Sequence, residues 1–300
     1  MKADEASSTA YTVSQGIVYS GMYSEDRAHV PGSLLNSNEY ILRSSRAGRK
    51  LLRRLDNPIH RLLLRLFERL TLPGMAFHYV LRKMYIEHCV RDAIANGANQ
   101  VIILGAGFDT LAWRLSTEFK SIRFIEVDHP ATSKAKHEAL IEKIQLIKNY
   151  YFAAVDFAND NLLNVLSGCQ FFEHDLQSVF VCEGVLMYLS ISDVELLMSS
   201  VSQLASQKSQ FIFTALEPLD SSNNDSGWLL KLYLRIKHES LGWTCPQTLV
   251  SPFLEKHHYC AIESVDDRKI ASKLMPGVLR RRFHRGEYIV NAMSGHHSLD

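Results

Sequence analysis

Two glycines and one acid carry the clearest chemical signal in this chain. Gly105-Ala106-Gly107 ends the apolar run Val101-Ile102-Ile103-Leu104 and opens the segment Phe108-Asp109-Thr110-Leu111. Glycine lets a backbone approach a ligand closely, and a helix starting just after such a turn presents unpaired N–H groups. Asp128 follows about 20 residues later, where a carboxylate that binds ribose hydroxyls belongs. Glu126 competes with it. Strand alternation puts both acids on one face, and Asp128 is nearer the carboxyl end, where ligands bind. A dinucleotide site would have a third glycine where Thr110 stands. On these residues alone, a ribose-bearing cofactor and a plain tight turn beside a structural acid both remain open.

The elements around the loop must hold it at a sheet edge. Val101–Leu104 reads as a buried parallel strand, and Leu111–Glu118 as the helix after the turn. Further strands are expected at Ile122–Val127, Tyr150–Val155, Ser178–Cys182 and Gln210–Ala215. Helices are expected at Ala131–Lys148, Asp160–Leu166 and Asp193–Ala205. Strand–helix alternation predicts an α/β fold, a parallel sheet with helices on both faces. Helices over 225–240 and 247–256 form an expected insertion near 220–256. Cys260–Val265 and Glu287–Met293 are expected to close the sheet. The chain before it divides differently. Residues 1–36 show no clear period and read as a loose arm, and 38–97 read as helical. Pro58 and Pro73 stand where helices can start, and Asn96-Gly97 is a stop. This predicts an N-terminal arm and helical lid over 1–97, and a cofactor-binding domain over 98–300.

Bulk properties narrow the function classes. The 300 residues are 46% hydrophobic and 22% charged, an ordinary soluble balance, and the net charge of +1 gives no general case for nucleic acid. Five cysteines form no C-x-x-C pair, which argues against a disulfide framework or a cysteine-built zinc site. The polar start Met1-Lys2-Ala3-Asp4-Glu5 has no apolar core of a leader, and no run approaches the ~20 apolar residues of a membrane span. These features predict a cytoplasmic protein without an integral membrane segment. The adjacent His257-His258 point apart in any regular element and His296-His297 lie in a polar tail, so no metal is assigned.

Four segments, in order, resemble the leucine carboxyl methyltransferase family of class I S-adenosylmethionine-dependent methyltransferases. They are Leu81-Arg-Lys-Met-Tyr-Ile-Glu87, Gln100–Leu115 (QVIILGAGFDTLAWRL), Phe124-Ile-Glu-Val-Asp-His-Pro130 and Glu183-Gly-Val-Leu-Met-Tyr-Leu189. The resemblance covers about 80–215 and departs at Leu111, where family members often have arginine, and at Lys83, where they often have threonine. It implies a Rossmann-like methyltransferase sheet with S-adenosyl-L-methionine as cofactor and S-adenosyl-L-homocysteine as product. Under it, Arg82 pairs with the methionyl carboxylate and Gly105 and Gly107 lie against the amino-acid end. Asp128 binds the ribose, Asp156 and Phe157 contact adenine, and Glu183 faces the cofactor's ammonium or the acceptor. A planar guanidinium suits a carboxylate, and a carboxylate suits a sulfonium. Solvated or structural roles remain alternatives for Arg82 and Glu183, and a helix cap for Asp156.

The expected reaction is O-methyl transfer to a carboxylate or hydroxyl of a small molecule. A protein C-terminal carboxylate is the alternative, and a non-catalytic binding protein is a third reading. A carboxylate needs no general base, whereas a hydroxyl does. Glu183 and His129 are the nearest candidates for one, although His129 reads better as structural. Tyr188 is placed at the acceptor pocket, with an ordinary packed aromatic as the alternative. Tyr11, Tyr19 and Tyr23 are candidate lid residues. One segment stands apart: Arg43–Arg69 holds nine basic and two acidic residues, and Ile59–Leu72 is amphipathic. The expected reading is a lid helix with a solvated polar face.

Overall fold

β1 (Gln100–Leu104) is buried at every position and flanked by parallel strands on both sides. That environment explains its uninterrupted Val-Ile-Ile-Leu run. The structure is a computed structural model that describes residues 8–157, 160–205, 208–225, 241–278 and 282–295. β2 (Arg123–Asp128), β3 (Tyr150–Ala154), β4 (Ser178–Cys182) and β5 (Gln210–Leu216) run parallel to β1. β6 (Tyr259–Val265) and β7 (Glu287–Ser294) complete a seven-stranded sheet of order β3-β2-β1-β4-β5-β7-β6. β7 runs antiparallel between β5 and β6, with Glu287 opposite Leu216. That reversal brings the first residue of β7 to the edge where the parallel strands end.

Alternation along the strands divides the core in two. Val101, Ile103, Phe124, Val179, Val181 and Ile289 face one layer. This layer holds α5 (Met75–Ala95), α6 (Leu111–Glu118), α7 (Pro130–Ile144) and α11 (Asp267–Leu274). Ile102, Leu104, Ile125, Phe180, Phe211 and Val290 face the other. It holds α8 (Leu162–Ser167), α9 (Ile191–Leu204) and α10 (Val250–Lys256). Each such fully buried aliphatic side chain contributes ~1.5–3 kcal/mol before conformational entropy is counted. The helix starts are written in side chains. Asn161 caps α8, Asp266 caps α11, and Ser190 with Asp193 forms a capping box on α9. The sheet and its two helical layers are the Rossmann-like class I methyltransferase fold.

The N-terminal region differs from expectation. Instead of a loose arm, it forms α1 (Ser8–Tyr23) and starts α2 (Gly32–Ser44) inside the same span. Two glycines explain why α1 is hard to read. A Cβ on Gly16 would sit 2.7 Å from the Tyr79 ring, and one on Gly21 2.9 Å from Leu35. Both weaken helical propensity yet permit close packing. α3 (Arg46–Asp56) and α4 (Pro58–Thr71) follow, with Pro58 in the first turn of α4. Together α1 to α4 form the helical lid. The helix expected over 225–240 lies outside the described residues except for Asp225, as does His296-His297.

Candidate functional site

The carboxyl ends of β1, β2 and β4 and the start of β7 converge on one edge of the sheet. After β1 the chain turns through Gly105 (φ +67°) and Gly107 (φ +49°), backbone that other residues rarely adopt. A Cβ on Gly105 would lie 2.3 Å from Cγ2 of Val185, so glycine is required there sterically as well. The amides of Gly105 and Ala106 donate to the Val127 carbonyl at 2.7 and 3.2 Å, tying the loop to the end of β2.

Asp128 closes the loop from the other side. Its carboxylate accepts from the Gly107 amide and, at 2.6 Å, from the His129 amide. Burial raises its pKa, and the two amides oppose that rise. Glu126 is engaged elsewhere, in a buried ion pair with Lys136 of α7 at 2.6 Å. Burial raises its pKa to about 6 despite Lys136. The two acids that alternation places on one face therefore have different environments, and Asp128 is the one at the glycine loop.

Arg82 and Lys83 come from the middle of α5. Arg82 Nε lies 2.7 Å from Glu183 Oε1, and Arg82 Nη1 donates to Glu287 Oε2 at 2.7 Å. Lys83 Nζ bridges Asp109 at 2.8 Å and Glu183 at 3.0 Å. His78, one turn earlier, sits between Asp267 (2.6 Å) and Glu287 (2.8 Å). All seven side chains are buried. Burial works against the charged form of Arg82, yet Glu287 and Glu183 hold it charged. Burial likewise opposes the charges of Asp109 and His78. Lys83 and Lys136 outweigh it and lower Asp109 to about 2. Asp267 and Glu287 outweigh it and push His78 up to about 9. His284 packs against His78 with ring centroids 5.2 Å apart, and burial together with the charged His78 holds it down to about 4.

With His78 protonated the cluster has three cations (His78, Arg82, Lys83) and four carboxylates (Asp109, Glu183, Asp267, Glu287), one net negative charge. Such a cluster can hold an anionic group on Arg82 or Lys83 and favours a cation beside Glu183. Glu183 directly follows the last residue of β4, and the next amide, of Gly184, donates to Thr214 Oγ1 at 2.8 Å.

The remaining expected residues are placed as follows. Asp156, two residues past β3, does not cap α8; that role belongs to Asn161, while the Asp156 amide donates to Asp160. Its carboxylate lies 3.9 Å from His129 Nε2. Phe157 packs at the margin of the second core layer. His129 caps α7, its Nδ1 accepting from the Ala131 amide at 3.3 Å, a structural role. Tyr188 is 50% exposed on a one-turn 3-10 helix, not the packed aromatic of the alternative reading. Tyr11 stacks edge-on to Phe108 at 4.6 Å, and Ala10 lies 3.4 Å from a Cβ built on Gly107, so α1 covers the glycine loop. Tyr19 and Tyr23 serve the lid's own packing; the Tyr23 hydroxyl donates to Asp56. The buried Thr110 accepts from Ser37 of α2 at 2.9 Å, a second tie between lid and loop at the position a third glycine would occupy.

Lys83, Asp109, His78, Asp267 and Glu287 were not among the expected site residues. Asp109 lies inside the glycine motif and Lys83 beside Arg82, so their positions were signals. Glu287 is 205 residues from Arg82 and has no sequence signal.

Comparison with known proteins agrees with this architecture. A family model described as leucine carboxyl methyltransferase matches residues 41–202. Leucine carboxyl methyltransferase 1 of Caenorhabditis elegans is 30% identical over 177 residues, 50% of this chain and 52% of that protein. A provisionally named S-adenosyl-L-methionine-dependent methyltransferase of Streptomyces coelicolor is 29% identical over 144 residues, 47% of this chain and 49% of that one. The chain thus spans about half the length of the curated relatives it matches. Among solved structures, a provisionally assigned methyltransferase from Thermobifida fusca superposes with a TM-score of 0.55 at 14% identity, over 86% of this chain and 94% of that one, a likeness of fold. With more than half of its residues matched by the family model, the chain belongs to the leucine carboxyl methyltransferase family, within the S-adenosylmethionine-dependent methyltransferase class.

Proposed function

We propose that this protein transfers the methyl group of S-adenosyl-L-methionine to a carboxylate, with a protein C-terminal carboxylate as the acceptor class best supported. The observation that carries the reading is the ion pairing of Glu183. It is the acid at the end of β4, and it is engaged by Arg82 and Lys83 at 2.7 and 3.0 Å. A carboxylate neutralised by two cations is a poor general base, and His129 is occupied as a helix cap. An acceptor that arrives already ionised needs neither. The family description and the name of the C. elegans relative both specify leucine carboxyl as the group methylated, which supports the protein acceptor over the small-molecule carboxylate or hydroxyl of the first expectation.

The residues present suit the cofactor. Gly105 and Gly107 allow close backbone approach, and Asp128 stands where a ribose acid is needed. Asp156 and Phe157 follow β3 on the adenine side. Arg82 is the partner for the methionyl carboxylate, and the cluster's net negative charge suits the ammonium and sulfonium. The bound cofactor would supply an activated methyl group for in-line displacement. The chain's own contributions are position and field: Arg82 orients, Glu183 sets the local charge, Tyr188 borders the acceptor, and Tyr11 with Phe108 excludes water. The same proposal keeps 98–300 in the cofactor-binding unit and adds α5 to it, leaving α1 to α4 of the expected 1–97 unit as the lid. It also includes cytoplasmic residence, supported by five free thiols.

The test is transfer of labelled methyl from S-adenosyl-L-methionine to three acceptor sets. These are peptides with a free C-terminus, the same peptides amidated, and a panel of small carboxylic acids and phenols. Label lost on mild alkali and confined to free C-termini is expected. Alkali-stable label on phenols overturns the carboxylate reading, and label on small acids alone replaces the protein acceptor.

A further inference from the structure

α4 carries its amphipathic pattern inside out. Ile59, Leu62, Leu63, Leu66, Phe67 and Leu70 follow i, i+3, i+4, i+7, i+8 and i+11, one continuous stripe of a helix. A surface helix normally buries such a stripe. Here the six side chains are 46–68% exposed. The opposite row, Arg61, Leu64, Glu68 and Thr71, is the one held against the protein, with Leu64 packed on the small lid core. Arg61 Nη1 donates to the Leu55 carbonyl at 2.6 Å, and its guanidinium stacks over Tyr23 at 4.5 Å. Glu68 accepts from the Ala76 amide at 3.0 Å. Arg65 Nε reaches the Tyr19 hydroxyl at 3.4 Å. The expected solvated polar face is therefore reversed, and specific hydrogen bonds fix the reversal.

The surroundings of the stripe indicate what covers it. α3 joins α4 through the single residue Asn57 and exposes Arg46, Lys50, Arg53 and Arg54. No carboxylate among the described residues pairs with these four. The stretch 43–69 has nine basic and two acidic residues, a balance of +7 in a chain whose total is +1. An apolar stripe of Leu, Ile and Phe beside concentrated Arg and Lys matches an interface that is itself apolar beneath and anionic at its surface. A second copy of this chain fits less well, because pairing two such faces brings two basic segments into one contact. With 14 residues, α4 is too short to cross a bilayer, so it would lie in the plane.

We propose that α4 is a membrane-surface helix, with its apolar stripe in the headgroup–acyl boundary of an anionic bilayer and the α3 cations over the headgroups. Flotation of the full chain with phosphatidylcholine vesicles, with and without phosphatidylglycerol, tests this. Binding at least about tenfold tighter to the phosphatidylglycerol vesicles, weakening with salt, is expected. Leu63→Ser with Phe67→Ser should lower vesicle binding about tenfold while the melting temperature is kept, since both side chains are already mostly exposed. Arg53→Glu with Arg54→Glu should abolish the preference for anionic vesicles. Absence of vesicle binding, or binding that none of these substitutions changes, overturns the proposal. Absence of vesicle binding together with self-association that the Leu63/Phe67 variant loses makes the stripe a subunit interface instead.

Discussion

Arg82 on α5 and Glu287 at the start of β7 meet at 2.7 Å across 205 residues of sequence. This buried pair fastens the last strand of the sheet to the helix that carries the proposed cofactor ligand. Glu287 also accepts from or pairs with His78, so one carboxylate orders two basic side chains of α5.

Removing either partner should have separable effects. Arg82→Ala is expected to weaken S-adenosyl-L-homocysteine binding by about 1.5–3 kcal/mol in a calorimetric titration, through loss of a charge-assisted pair. Glu287→Gln leaves Arg82 in place but removes half of its buried compensation. It should lower unfolding stability by about 3–5 kcal/mol, with a smaller effect on cofactor affinity. Unchanged affinity in Arg82→Ala would remove Arg82 from the cofactor site.

The two buried histidines predict an optimum in stability. His78 has a folded pKa of about 9, above its unfolded value of 6.5, so its contribution is complete below pH 6.5 and is lost as pH rises toward 9. His284 is the reverse: its folded pKa is about 4, so stability is present above pH 6.5 and is lost as pH falls toward 4. Denaturant melts across pH should peak near the shared unfolded value. His78→Gln should flatten the alkaline limb and His284→Gln the acid limb. A wild-type profile that is flat from pH 4 to 9 would contradict both assignments.

Gly105→Ala tests the loop. The new Cβ meets Val185, and the backbone is left-handed there, so a loss of about 1–3 kcal/mol in stability is expected together with weaker cofactor binding. Adding Val185→Ala should recover the steric part and leave the backbone part. A Gly105→Ala variant that melts like the wild type would contradict this loop geometry.

Tyr11→Ala removes the edge-on contact with Phe108 that closes α1 over the loop. A loss of about 0.5–1.5 kcal/mol in cofactor affinity is expected, expressed as faster release in stopped-flow measurements. A release rate equal to that of the wild type would separate α1 from the site.

Local sequence already determined much of this protein. The parallel strands show as short apolar runs because both of their faces are buried. Gly105 and Gly107 show because glycine is the residue favoured at positive φ. Asp128 shows because its spacing follows from one strand–helix–strand unit. Each of these signals is set by neighbours close in the chain. Folding in three dimensions settled the rest. α1 gives little helical signal because Gly16 and Gly21 are placed for contact with Tyr79 and Leu35. The antiparallel insertion of β7 delivers Glu287 to Arg82, and strand order is a matter of long-range packing rather than local pattern. The outward turn of the α4 stripe follows from hydrogen bonds to Leu55, Tyr19 and Ala76 and from the packing of Leu64 on the lid core. A helical period shows that two faces exist, but the contacts made by the polar one decide which faces the solvent.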